Sequence, residues 1–423
     1  MNEYDVIVVG AGSSGLMSAI SAAQNGAKVC LIEKNKKAGK KLLMTGGGRC
    51  NVTNNKDIDG LIAHIIGNGK FLYSVFHQFN SADIIEFFQS NGLALKEEDH
   101  GRMFPVTDKS KSIVELLFTK VQELGVSFIN QSAVVGLIKE GGQLKGVKTE
   151  TEEFFAPCVI LSTGGRAYPS TGSTGDGYKL AKSCGHHLTH LFPTESPLIS
   201  SEKFVEDKVL QGISLRDISL SVLNNKKKVL VTHTMDLLFT HFGLSGPAAL
   251  RCSSFVNQEL EKEDVQQATV VLDCFPATSS AQLLAKLSKT ASSSEKSVKN
   301  TFTSFVQERL LVFFLEQVGI SESLSAKKLS EKQLADLVAI LKHFEIKIDK
   351  TFPIEKSFVT GGGINLKEIN PKTLESKLCS GLFMTGELLD VHGYTGGYNV
   401  TTAFATGFVA GKNAAEVASY YKY

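Results

Sequence analysis

The chain has 423 residues, room for two or three domains with a substantial core, and a nearly balanced charge of +2 that neither favours nor excludes a nucleic-acid partner. No apolar run approaches the length that spans a bilayer, and the first strand begins at once, so neither a membrane segment nor a signal peptide is expected. Seven scattered cysteines (30, 50, 158, 184, 252, 274, 379) without a C-x-x-C pair predict reduced, mostly buried thiols in a cytoplasmic protein that holds no metal.

Tyr4–Val9 reads as a strand, Gly10-Ala11-Gly12-Ser13-Ser14-Gly15 as a glycine turn, and Leu16–Asn25 as a helix. A second strand, Ala27–Ile32, ends on Glu33. This is G-x-G-x-x-G with a strand before it, a helix after it and an acidic residue closing the next strand, which is what an adenine dinucleotide requires. Gly10 permits the turn, Gly12 admits a pyrophosphate, and Gly15 lets helix and strand touch. The helix N-terminus offers amides and partial positive charge to the phosphates, and Glu33 suits ribose hydroxyls. Residues 34–55 have neither helix nor strand period and contain the consecutive glycines 46–48, a backbone able to wrap a ligand. Helices are predicted around Phe71–Phe79, at Ala82–Asn91 with Ser81 as N-cap, and at Ser110–Gly125. Gly101–Thr107 reads as a loop. Strands at Ser127–Ile129, Val134–Lys139 and Gly146–Thr149 read as an antiparallel excursion.

Pro157–Ser162 followed by Thr163-Gly164-Gly165-Arg166 returns the chain to the parallel sheet. Asp176 reads first as the N-cap of a helix at Tyr178–Cys184, and second as a cofactor contact. From Leu191 the texture becomes β-rich, with short strands at Leu210–Ile213, Asp217–Leu223, Lys228–Thr232, Leu237–Thr240 and Ala268–Leu272. Lys226-Lys227-Lys228 sits on a predicted hairpin tip, either simply solvated or in contact with nucleic acid. Residues 279–346 are helical and Ser/Lys-rich, a small insert or lid. Phe358–Ile364 is turn-bounded, Gly381–Glu387 is an apolar strand ending in Gly-Glu, and Val400–Tyr420 is a helix. Its small residues Ala403, Gly407, Ala410 and Gly411 would pack on the sheet or the cofactor.

NAD and FAD share the first fingerprint, so the choice rests on the remaining glycines. The isoalloxazine end of FAD needs extra glycine-rich walls, and Thr45–Asn51, Thr163–Arg166, Thr360–Gly363 and Gly393–Asn399 supply four. Gly-Glu, glycines and a C-terminal helix would aim a helix N-terminus at the flavin pyrimidine, where its dipole favours negative charge. No second G-x-G-x-x-G follows a strand, which argues against a separate NAD(P)H domain.

Three blocks carry a family likeness: Lys41–Asn51 (Lys-Leu-Leu-Met-Thr-Gly-Gly-Gly-Arg-Cys-Asn), Leu238–Pro247 (Leu-Phe-Thr-His-Phe-Gly-Leu-Ser-Gly-Pro), and Gly386–Asp390 with Thr395–Asn399. The set resembles the BaiN/RdsA (YhiN-like) FAD-dependent oxidoreductases along nearly the whole chain. The resemblance implies an α/β, Rossmann-like FAD-binding domain interrupted by a β-barrel-like insert and a small helical insert. In this chain that division reads as residues 1–190, 191–278, 279–350 and 351–423. It also implies flavin-dependent reduction of a carbon–carbon double bond, with members associated with dihydrouridine formation in large-subunit ribosomal RNA and others with bile-acid reduction.

Motifs and resemblance together nominate the FAD contacts: Gly10, Gly12, Ser14, Gly15, Glu33, Lys34, Lys41, Thr45, Gly46, Gly47, Arg49, Cys50, Asn51, Thr163, Gly164, Gly165, Gly386, Glu387, Asp390, Gly396, Gly397, Tyr398 and Asn399. NAD(P)H is the expected electron donor. Reduction needs a hydride at one carbon and a proton at the other. Cys50 and His241 are the candidate acids; otherwise Cys50 is a small core residue and His241 is bonded within the β-rich insert. Arg49 and Arg102 either hold an anionic group of cofactor or substrate or are ion-pair partners. Uridine in ribosomal RNA is the preferred substrate, approached by Lys226–Lys228 and by Lys286, Lys289, Lys296, Lys299, Lys327 and Lys328. A small enone or steroid-like substrate, or a non-catalytic flavin-binding module, are the competing readings.

Overall fold

The computed structural model describes residues 3–141 and 143–422, which form two units: the chain up to Phe192 together with Ile354 onward, and Pro193–Pro353. In the first unit, β1 (Val6–Val9), β2 (Val29–Ile32), β3 (Ser127–Ile129), β4 (Cys158–Leu161) and β5 (Leu382–Met384) build one parallel sheet in the order β5-β4-β1-β2-β3. Val6 registers with Val29 on one side and Cys158 on the other. All four positions of β1, β2 and β4 are buried, as expected of continuous apolar runs covered on both faces. From β1 the chain winds outward through β2 and β3, then returns to β4 and β5 on the opposite side. That reversal makes a crevice beyond the carboxyl ends of β1 and β4, the place where open α/β sheets bind ligands.

Ser127–Ile129 corrects the sequence reading, because it pairs parallel with β2 (Cys30 with Ser127) and belongs to the main sheet. The antiparallel excursion consists of Val134–Glu140, Gln143–Thr149 and Glu153–Phe155. Asn80, not Ser81, caps the helix Ser81–Ser90. Its side chain accepts from Ala82 N while its own amide donates to Asp83 Oδ2, a reciprocal box that Ser81 cannot form because its hydroxyl donates to Lys56 O.

Two helices close the unit's core: α1 (Ser13–Gln24) and α2 (Tyr398–Ser419). A Cβ at Gly407 would lie 2.3 Å from Ser14 O, and one at Gly411 2.3 Å from Ser18 O. Ser21 Oγ donates to Phe408 O at 2.7 Å. Gly407 and Gly411 of the C-terminal helix therefore pack on α1.

The second unit is an antiparallel seven-stranded sheet ordered Phe344–Ile348, Ala268–Asp273, Ser214–Leu223, Val229–Phe239, Gly243–Ser245, Leu198–Ile199, Lys350–Thr351. Its two outer strands are consecutive in the chain, separated only by Asp349, so the sheet curls round on itself as a barrel. The two strands expected at 228–232 and 237–240 are one, while Leu210–Ile213 lies in turns. Helix Pro247–Leu260 follows these strands, and Pro247 takes the first helical position, where its missing N–H costs nothing. Four further helices, Ser280–Ser292, Val298–Phe302, Glu308–Gln317 and Glu331–Lys342, share the strands' core. Phe344 on a strand lies 5.2 Å from Phe314 and 5.6 Å from Phe313 on a helix, ring centre to ring centre. The β-rich and helical inserts are thus a single folded body.

Candidate functional site

The carboxyl ends of β1 and β4 form the floor of the crevice. Gly10 turns the chain at φ +98°, and a Cβ there would meet Ser162 O at 2.7 Å. Gly15 lies so near the preceding turn that its Cβ would fall 1.8 Å from Gly10 O. At Gly12 nothing in the chain comes within 4 Å of such an atom. One glycine turns, one permits contact, and one leaves an open approach. Gly12 also caps α1 without any side-chain acceptor, and the first intrahelical bond runs from Leu16 N to Gly12 O at 2.9 Å. The amides before Leu16 have no intrahelical acceptor, and with the helix dipole they favour an anion.

Glu33 closes this corner. Its Oε2 accepts from Ala11 N at 2.7 Å, and its Oε1 accepts from Asn35 N and Asn35 Nδ2 at 2.8 and 2.7 Å. A carboxylate has about four acceptor positions, so the chain fills three and a ligand hydroxyl can take the fourth. Lys34 Nζ lies 2.5 Å from both Asp176 Oδ2 and Thr174 Oγ1, holding the 172–177 glycine loop beside Glu33. Asp176 is the first helical residue rather than the N-cap. Gly175 takes that place, and the Asp176 carboxylate is occupied by Lys34 and Thr174.

Two of the four glycine walls, and the Lys41 segment before a third, meet through Glu387 and Thr360. Glu387 Oε2 pairs with Lys41 Nζ at 2.7 Å, while its Oε1 accepts from Thr360 N at 2.7 Å. Thr360 Oγ1 in turn accepts from Arg166 N and Ala167 N at 2.9 and 3.0 Å. Gly165 must be glycine here, since a Cβ would lie 2.5 Å from Thr360 Oγ1.

The wall at Thr45–Asn51 has left-handed backbone at Gly46, Gly47, Gly48 and, unusually for a side-chain-bearing residue, at Cys50 (φ +62°). A Cβ at Gly47 or Gly48 would meet nothing within 4 Å. Cys50 is fully buried, and burial pushes its thiol up to about 12 against the opposing hydrogen bond with Thr45. Arg49 points elsewhere: its guanidinium lies 4.2 Å over the Phe104 ring and pairs with Glu98 and, at 2.8 Å, with Asp108. Its charge is balanced inside the chain by these two carboxylates. Arg102 Nε donates to Asp99 O at 2.9 Å.

The fourth wall is tied to the first. Asn54 Nδ2 donates to Gly396 O at 3.0 Å, and Thr53 Oγ1 lies 2.7 Å from Thr401 Oγ1. Gly397, at φ +100°, caps α2 so close to Thr53 that a Cβ would lie 2.6 Å from its carbonyl, with Asn51 Oδ1 at 3.0 Å. The α2 N-terminus therefore opens beside Asn51. The side chains of Tyr398 and Asn399, both nominated as cofactor contacts, brace this loop. Tyr398 stacks on His64 at 4.6 Å, and Asn399 exchanges hydrogen bonds with Gly393 N and O at 2.8 and 2.7 Å. Burial raises the Asp390 carboxyl, opposed by hydrogen bonds from Thr189 and Asn68.

Among the described residues, Asn51 Oδ1, Asn54 Oδ1, Thr163 Oγ1 and His392 Nδ1 are buried without a hydrogen-bond partner. Each such group costs about 1–3 kcal/mol, so several around one set of glycine walls are what a polar ligand would satisfy. His392 is packed against Gly67, whose Cβ would lie 2.1 Å from His392 Nδ1, and burial lowers it to about 4. It is therefore a neutral imidazole. Sequence reasoning missed His392 and Asn35, and saw Thr360 only as the start of a glycine wall. Thr360 opens one of the glycine walls and Asn35 follows the dinucleotide fingerprint closely, but nothing in one dimension shows a hydroxyl joining residues 166 and 360. His241 belongs to the second unit, where it is exposed between Val229–Phe239 and Gly243–Ser245 with its ring edge-on to Phe242 at 5.0 Å.

Comparison with known proteins agrees with this architecture. The family model of the HI0933-like protein Rossmann domain matches residues 4–413. A 3-dehydro-bile acid delta(4,6)-reductase of Clostridium scindens is 32% identical over 97% of this chain and 98% of its own length. A ribosomal RNA dihydrouridine synthase of Escherichia coli is 30% identical over 98% of each chain. Among solved structures, a flavocytochrome c3 fumarate reductase superposes with TM-score 0.54 at 19% identity, covering 99% of this chain and 79% of its own. A 3-ketosteroid-delta4-(5alpha)-dehydrogenase of Rhodococcus jostii RHA1 gives TM-score 0.55 at 15% identity, covering 98% and 97%. At those identities the two structures share the fold. No helix among the described residues is long and apolar enough to cross a membrane, and no cluster of three or more His, Cys, Asp or Glu suited to a metal is found among them.

Proposed function

The chain belongs to the HI0933-like Rossmann family, and from that premise we propose that it is an FAD-dependent oxidoreductase that reduces a carbon–carbon double bond, with uridine in large-subunit ribosomal RNA as substrate and NAD(P)H as electron donor. The observation that carries the flavin is the crevice itself: an open approach at Gly12, four linked glycine walls, and buried polar atoms at Asn51 and Thr163 left for a ligand. Those residues fit FAD. The α1 N-terminus would hold the pyrophosphate, Glu33 the ribose, and Asn51 with the α2 N-terminus the far end, where the dipole would favour negative charge. Bound FAD supplies the hydride.

The chain supplies the proton. Cys50 keeps its proton at Sγ through the neutral range because burial raises the thiol to about 12, and a strongly basic carbanion-like carbon can take it. Cys50→Ala with FAD retained and acceptor reduction slowed roughly 100-fold or more supports the thiol; unchanged turnover returns Cys50 to the core.

For the substrate, the exposed lysines 226–228 favour RNA, on a hairpin tip ordered by Asn224 Oδ1 accepting from Lys226 N and Lys228 N, both at 2.9 Å. The Clostridium scindens relative supports a second reading, a steroid-like enone. Ribosomal RNA from a deletion strain, digested and scored for dihydrouridine, separates them. Unchanged dihydrouridine removes the RNA substrate and leaves the flavin reading intact. A purified protein that takes up no FAD removes both. Anaerobic bleaching of the bound flavin by NADPH or NADH tests the donor.

A further inference from the structure

Away from the crevice, two cysteines distant in sequence meet in the first unit. Cys184 follows the helix Asp176–Lys182, and Cys379 lies in the loop that leads into β5. Their loops touch, a Cβ on Gly185 lying 4.0 Å from Leu378 Cδ1, and the two thiols interact. The surrounding contacts are independent of the sulfurs and hold the two loops together. His186 Nε2 lies 2.7 Å from Ser376 Oγ, which also accepts from Cys379 N at 2.9 Å, and Glu368 is shared by His186 Nδ1 and His187 Nδ1 at 3.1 and 2.6 Å. Lys139 Nζ donates to Ser183 O at 2.5 Å, placing a cation next to Cys184. The pair lies just beneath the surface: Cys184 and Cys379 are 9% and 6% exposed, while Ser183, Gly185, Leu378 and Ser380 around them are exposed.

We propose that Cys184 and Cys379 form a thiol–disulfide exchange site that reacts with low-molecular-weight disulfides, Cys184 supplying the attacking sulfur and Cys379 the resolving one. The asymmetry follows from their surroundings. The hydrogen bond from Cys379 and the charge of Lys139 acidify Cys184, whereas Cys379 is held protonated by that same bond and by burial. Burial is the largest cause that raises each of the other five thiols, and Cys184 alone among the seven is lowered. In the reaction the Cys184 thiolate attacks one sulfur of the external disulfide, forming a mixed disulfide and expelling one thiolate. That thiolate takes the Cys379 proton. The Cys379 sulfur then attacks Cys184 Sγ and expels the second thiolate. The dithiol is oxidised to a disulfide, the external disulfide is reduced to two thiols, and two electrons move between them.

The test uses the flavin-loaded full chain and oxidised glutathione. Wild-type protein should lose two of its seven thiols, become two hydrogens lighter, and yield one cross-linked peptide pair joining Cys184 to Cys379. Cys379→Ser should retain a stable glutathione adduct on Cys184, because the resolving sulfur is gone. Cys184→Ser should keep every remaining thiol. Seven free thiols in oxidised wild type, or a cross-link through any other cysteine, overturns the proposal; so does a Cys379→Ser adduct that is absent or sits elsewhere. Flavin absorbance reports whether each variant is folded, and if a variant fails to fold the wild-type peptide map decides alone.

Discussion

Replacing Gly12 and Gly15 separately by alanine distinguishes cofactor binding from folding within one short turn. Gly12 has ordinary φ (−79°) and nothing within 4 Å of the place an added methyl would take, so the chain accommodates alanine. Alanine is a poorer N-cap than glycine, and the stability loss should be about 0.5–1 kcal/mol. FAD, however, would meet the methyl on its pyrophosphate approach, and a steric penalty of about 1–3 kcal/mol weakens binding roughly 5- to 150-fold. Gly15→Ala behaves in the opposite way. Helix propensity favours alanine by about 1 kcal/mol, but its Cβ would stand 1.8 Å from Gly10 O, where about 3.2 Å is needed. A backbone oxygen cannot move aside by changing rotamer, so α1 must lift from β1, and the net loss should reach at least about 2 kcal/mol. Denaturant unfolding of the apoprotein measures the first quantity and fluorescence titration with FAD the second. Wild-type FAD affinity in Gly12→Ala, or undiminished stability in Gly15→Ala, would refute the division of roles.

Three further outcomes follow from the same geometry. Gly407→Ala should lower the thermal midpoint despite better helix propensity, since its Cβ would press to 2.3 Å from Ser14 O; an equal or higher midpoint would show that the helices separate freely. His392 is depressed to about 4 from the usual 6.5, so protons bind the unfolded chain preferentially between those values and stability falls as pH drops from 6.5 to 4. The loss amounts to about 3 kcal/mol, and urea unfolding of His392→Gln at pH 7 and pH 4.5 should show most of that acid sensitivity gone. Changing Lys226, Lys227 and Lys228 together to serine should reduce the slope of log affinity for ribosomal RNA against log salt by roughly 2 to 3, while an unchanged slope would remove the hairpin from the RNA reading.

The dinucleotide turn was legible because its requirements are local. Gly10, Gly12 and Gly15 act within one strand, one turn and one helix, and an apolar run buried on both faces announces a parallel strand whatever surrounds it. The same locality explains the errors. Ser127–Ile129 is too short to reveal whether its partner runs parallel or antiparallel, and Ser81 and Asn80 are equally good caps until Asp83 and Lys56 choose between them. Likewise the inserts looked like two bodies because their periods differ, although strands and helices share one set of phenylalanines.

Sequence by itself determined the nucleotide-binding turn, the glycine walls and the family likeness, since each depends on residue type at fixed short spacing. Only the tertiary structure decided which side chains those walls employ. It joined Lys41, Glu387 and Thr360, turned Arg49 toward Glu98 and Asp108, laid the glycines of α2 on α1, and brought Cys184 to Cys379. These are contacts between residues far apart in the chain, and their partners are selected by packing, distance and burial.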